Sequence, residues 1–75
     1  MSINYDELLT VEHKTTILQQ RITQFASEAW QHTLNRQTCE SIGDVEGVQS
    51  ADNALTVLEA AIVVHQEKLL ELGGG

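Results

Sequence analysis

Proline is absent from these 75 residues, and cysteine occurs once. Without proline, no helix need be broken by a missing N–H or a ring clash. With Cys39 alone, neither an internal disulfide nor a thiolate zinc cluster can form, and a single free thiol fits a reducing compartment. Basic residues are also scarce. Lys14, Arg21, Arg36 and Lys68 stand against eleven carboxylates, for a net charge of −7. That balance repels phosphate backbones and anionic headgroups, so direct nucleic-acid binding is not expected. No apolar run approaches the roughly 20 residues that cross a bilayer. The beginning of the chain is acidic rather than basic. These features predict a soluble, unexported, cytoplasmic chain with no membrane partner. Glycine-rich phosphate loops, nucleophile elbows and paired acids at helical metal spacing are missing too. The expectation is a non-enzyme with no cofactor and no metal.

A chain this short buries only about 60% of the surface its unfolded form exposes, and it must find stability elsewhere. Disulfides and thiolate metal clusters are excluded. Regular helix packing and oligomerisation remain.

The interior glycines are Gly43 and Gly47, which bracket Asp44, Val45 and Glu46 and mark one turn. Ahead of it, Val11, Leu18, Ile22, Phe25, Ala26, Ala29, Trp30 and Leu34 fall on one arc of a helical wheel. Asn4 with Glu7 has the form of a capping box, and Thr10 ahead of Val11 and Glu12 is a second cap. The pattern predicts a short helix near residues 4–9 and a long one over about 11–41, or alternatively one continuous helix from Asn4. After a turn at about 42–49, Ser50 is the expected N-cap of a helix over about 50–72, with Asp52 in its first turn and residues 73–75 flexible. Two helices of about 31 and 22 residues joined by a short turn run antiparallel. The predicted fold is all-α: an antiparallel two-helix hairpin with a short N-terminal helix, in one domain.

Ala51, Leu55, Leu58, Ile62, His65, Leu69 and Leu72 recur at alternating spacings of three and four, which is a coiled-coil seam with one titratable residue in it. Ala61 adds a small residue seven after Ala54 on its flank. Counting Val48, Ala54, Val57 and Val64 as well, apolar residues cover over half of the helix circumference, whereas one neighbour occupies a stripe of roughly 100°. The excess predicts a homo-oligomer, most simply a dimeric four-helix bundle, with Ala51, Leu55, Leu58, Ala61, Ile62, His65, Leu69 and Leu72 at the interface. A further protein partner would meet the same demand.

His65 reads either as a switch or metal ligand, because imidazole titrates near neutrality and binds metals, or as a seam-edge histidine whose ring nitrogen finds a carbonyl, water or side-chain partner. Glu28 and His32, four apart, form at most a two-ligand clip. A turn centred near residues 45–46 makes position i face roughly position 91 − i, which sets His65 level with Ala26 and His32 level with Glu59. The two histidines then lie about 9 Å apart along the hairpin and cannot share an ion. Cys39 has no activating histidine nearby in sequence and reads as a small apolar residue. From Gln37 to Gln66 the chain carries Glu40, Asp44, Glu46, Asp52 and Glu59 with no Lys or Arg. That run reads as a solvated face, or as an acidic decoy for a nucleic-acid-binding protein.

The run from Ile17 to Ile22, the turn, and the run from Ala54 to Ile62 resemble the short acidic helical hairpins that tailed bacteriophages encode as accessory proteins. The likeness spans most of the chain and is one of size, charge and helical pattern. It implies a virion component, an assembly accessory or a host-directed inhibitor. Ala54-Leu55-Thr56 and Leu58-Glu59 are similar to the phage anti-CBASS sponges, which implies oligomeric capture of a cyclic nucleotide. Tyr5, Lys14 and Arg21 would then line sites at subunit contacts.

Overall fold

The computed structural model describes residues 2–73, in the order α1 (Tyr5–Leu8), α2 (Val11–Ser41) and α3 (Val45–Gly73). α2 and α3 pack against each other as an antiparallel hairpin, and among the described residues they are the only pair of helices that do. The flexible tail expected at 73–75 lies mostly outside those residues; Gly73 itself closes α3.

Each helix start has a local cause. The Asn4 side chain accepts from the backbone N–H of Asp6 at 3.1 Å and starts α1. Thr10 starts α2 with a reciprocal box: His13 N–H donates to Thr10 Oγ1 at 3.1 Å, and Thr10 N–H donates to His13 Nδ1 at 3.5 Å. Extended backbone at Leu9 and Thr10 separates the two helices.

The turn is shorter than the expected 42–49. Gly43 adopts φ 73°, and two bonds close the end of α2 around it, from Asp44 N–H to the Cys39 carbonyl at 2.8 Å and from Gly43 N–H to the Glu40 carbonyl at 3.2 Å. This is the Schellman arrangement, for which glycine pays no Cβ penalty. Asp44 then begins the next helix at once. Its Oδ1 accepts from Gly47 N–H at 2.9 Å, and its carbonyl accepts from Val48 N–H at 3.1 Å. Asp44, not Ser50, is therefore the cap, and α3 starts five residues before the expected first residue. Gly47 is helical. A Cβ there would run into the Cys39 sulfur and the Asp44 carboxylate, so this glycine admits the end of α2 against the first turn of α3.

The shorter turn changes the register. Arg36 meets Asp52, and His65 meets both Arg21 and Phe25, so partners' numbers total one to five fewer than the 91 expected from the sequence. His65 consequently reaches from Phe25, next to the expected Ala26, to Arg21 one turn earlier in α2.

The molecule measures 51 × 33 × 14 Å, so its thinnest dimension is close to that of one helix layer. Its radius of gyration is 16.7 Å, against about 11 Å for a compact domain of this length. A core ordinarily lies between two layers, and here there is one.

Candidate interaction surface

Seven of the eight residues expected at an interface between chains occupy the inner side of α3, and Ala61 lies on its flank. Ala51 is buried, and Leu55, Leu58, Ala61, Ile62, His65, Leu69 and Leu72 are half-buried. Facing them, Leu18, Ile22, Phe25 and Ala29 of α2 are half-buried at the same alternating spacing, and Cys39 is half-buried farther along the helix. The a/d stripe is thus used inside the hairpin, because an antiparallel neighbour in the same chain covers the narrow width such a stripe spans. Partial exposure remains because nothing caps the seam from above or below.

Polar residues fix the seam at two heights. Arg21 Nε donates to His65 Nε2 at 2.9 Å, the His65 Nδ1 lies 2.7 Å from the Ala61 carbonyl, and the imidazole meets the Phe25 ring edge-on with centroids 5.0 Å apart. The Arg21 guanidinium carbon sits 5.2 Å from the centre of the same ring. Nearer the turn, Arg36 Nε donates to Asp52 at 2.6 Å while its Nη1 donates to Glu40 at 2.7 Å. The hydrogen bond and charge of Asp52, then the charge of Glu40, raise the Arg36 pKa. Asp52 was expected as a first-turn residue of α3; it serves instead as the cross-helix partner of Arg36.

These contacts reduce the acidic run as a ligand-like surface. Glu40 and Asp52 share Arg36, and Asp44 is occupied in capping α3. Among the described residues no group of three or more His, Cys, Asp and Glu side chains could hold a metal ion.

At the open end of the hairpin, Tyr5, Asp6, Leu9, Lys14, Ile17, Leu18, Lys68 and Leu72 line a shallow groove of about 390 Å³. Lys14 Nζ bonds Asp6 Oδ1 at 2.6 Å, which ties α1 to α2 and lowers the Asp6 carboxyl pKa, chiefly through that hydrogen bond and then through the lysine's charge. Of the three residues expected to contact a small ligand, Tyr5 and Lys14 come together here. Arg21 is engaged with His65 instead, and Lys68, which no sequence argument singled out, joins the groove.

The outer surface is unusually apolar. Among the described residues only Ala51, at 5% exposure, is a buried apolar residue, while fourteen large apolar side chains are exposed. Away from the turn and from α1, Val57 (68%), Val64 (60%), Trp30 (66%) and Leu70 (69%) are the most exposed of these in the hairpin. Val57 and Val64 were legible as excess apolar arc on the helical wheel but were not assigned to a surface. No described helix is long and apolar enough to cross a membrane. No known protein family, curated protein or solved structure matches this chain.

Proposed function

We propose that the chain is a non-catalytic, self-associating helical interaction protein, acting as a virion component or assembly accessory of a bacteriophage. One observation carries the oligomeric part: among the described residues a single buried apolar residue is set against fourteen exposed large ones. Burying one Val, Leu or Ile side chain is worth about 1.5–3 kcal/mol, whereas ordering each residue's backbone costs about 1–2 kcal/mol. A one-layer hairpin recovers too little of the first to offset the second. A second layer supplied by further copies completes the bundle. Charge supports the same reading, because an acidic surface disfavours nucleic acid and anionic lipid as the covering partner. The phage assignment draws on the resemblance of the Ile17–Ile22 and Ala54–Ile62 runs to phage accessory hairpins. Multi-angle light scattering across micromolar concentrations tests the oligomer; detection in purified particles or on assembly intermediates tests the role.

A second reading has its own observation. Tyr5, Lys14 and Lys68 converge on a groove with walls of Leu9, Ile17, Leu18 and Leu72. An aromatic ring, the Lys68 ammonium, a second ammonium at Lys14 that Asp6 would have to share, and an apolar floor suit a planar anionic ligand such as a cyclic nucleotide, captured where subunits meet. A rise in melting temperature with cyclic mono- or dinucleotides, lost in Lys14→Ala, supports capture. No shift across such a panel rejects it.

A further inference from the structure

Ser50, Ala54, Val57, Ala61, Val64 and Lys68 are spaced four, three, four, three and four along α3, which is a second heptad stripe beside the seam. Val57 and Val64 on it are 68% and 60% exposed, and Ala54 and Ala61 are half-buried. The stripe alternates small and large, and it carries no charge from Ser50 to Val64.

We infer that this stripe is the contact with a second copy of the chain, α3 pairing antiparallel with the second copy's α3 about a two-fold axis near residue 59. The sequence of the stripe is self-complementary under that operation. Val57 falls opposite the second copy's Ala61, Val64 opposite its Ala54, and Ser50 opposite its Lys68, so that every valine meets an alanine and no like charges are opposed. A two-fold contact requires one patch to fit itself, and this one does. Small residues facing large ones also let the two helices approach closely and interdigitate.

The occupant follows from charge and from the thin core. In a chain of net charge −7, a contact between copies must avoid carboxylates. The opposite flank of α3, where Val63 and Leu70 are exposed, carries Asp52 and Glu59, and the same two-fold axis there would bring Glu59 to its own copy. The Ala/Val stripe lacks that conflict. The pairing also lays a second helical layer on a molecule only 14 Å thick. This inference rests on the oligomeric reading above and adds the surface and the symmetry.

The test combines light scattering with cysteine cross-linking in the full chain. In a Cys39→Ser background, Ala60→Cys lies next to the proposed axis and Val63→Cys lies on the opposite flank. The expected result is an oligomeric parent, rapid covalent dimer from Ala60→Cys with a short bis-maleimide, and at least tenfold less from Val63→Cys. Val57→Glu should weaken association at least tenfold while Leu70→Glu leaves it unchanged. Should Val57→Glu fail to fold, the cross-linking decides. An oligomeric parent that cross-links through Val63→Cys in preference to Ala60→Cys overturns this inference and leaves the oligomer standing. A monomeric parent removes both.

Discussion

Arg21 on α2 and His65 on α3 share a hydrogen bond, with the guanidinium Nε donating to the imidazole Nε2 across 2.9 Å. Because Nε2 accepts, the ring proton of the neutral imidazole resides on Nδ1, where it donates to the Ala61 carbonyl at 2.7 Å. One neighbour's charge and one backbone carbonyl therefore select the tautomer. Nitrogen-15 NMR above the imidazole titration should find His65 protonated on Nδ1; a dominant Nε2–H form would contradict the contact.

The same pair should be energetically coupled. A double-mutant cycle on Arg21→Ala and His65→Ala is expected to return about 0.5–1.5 kcal/mol, the net worth of a hydrogen bond to a charged but partly exposed group. Denaturant titration of the four variants measures it, and strict additivity would show that the two side chains do not act together.

Gly47 is a packing residue, which Gly47→Ala tests. The added methyl meets Cys39 Sγ and the Asp44 carboxylate, and overpacking of this kind costs about 1–3 kcal/mol. Placed in a Cys39→Ala background, the substitution should cost measurably less, because one of the two clashes is gone. Equal cost in both backgrounds would mean that the close approach of α2 to α3 is wrong.

Acid should release α1 from the hairpin. The Asp6 carboxyl is held below its ordinary value of 3.8 by Lys14. A depressed folded value means the contact contributes fully above the unfolded carboxyl's pKa and is lost as pH falls through the lower folded one. Tyr5 resonances should therefore shift toward those of the Asp6→Asn variant only below about pH 4. High salt should produce part of the same change at neutral pH, because the Asp6 carboxylate is exposed.

Helix type and pairing were readable because apolar spacing encodes them directly: Leu18, Ile22, Phe25 and Ala29 of the α2 arc and the seam from Ala51 to Leu72 define the inward faces, whereas Val11, Trp30 and Leu34 of the same arc are exposed. The turn was misread because two glycines look alike in sequence. Gly43 supplies a positive φ, whereas Gly47 supplies room for Cys39, and only the fold distinguishes those needs. Asp44 closes one helix and opens the next, a double role that its position after Gly43 permitted but did not compel. Moving the start of α3 from Ser50 to Val45 shifted the polar cross-helix pairings, so the Arg21–His65 and Arg36–Asp52 contacts could not be foreseen. Similarly, the seam residues were expected between chains because the apolar arc shows that helices are needed without saying whose. The hairpin covers the seam in part, leaving its residues other than Ala51 half-buried, and Val57, Val64, Trp30 and Leu70 stay exposed.

The mass of the particle in solution bears most directly on this account. Light scattering coupled to gel filtration, from low to high micromolar concentration, should give an integral multiple of the 8.3 kDa chain mass, with helicity falling as dilution dissociates it. A folded, cooperative monomer of 8.3 kDa that persists across that range would contradict it.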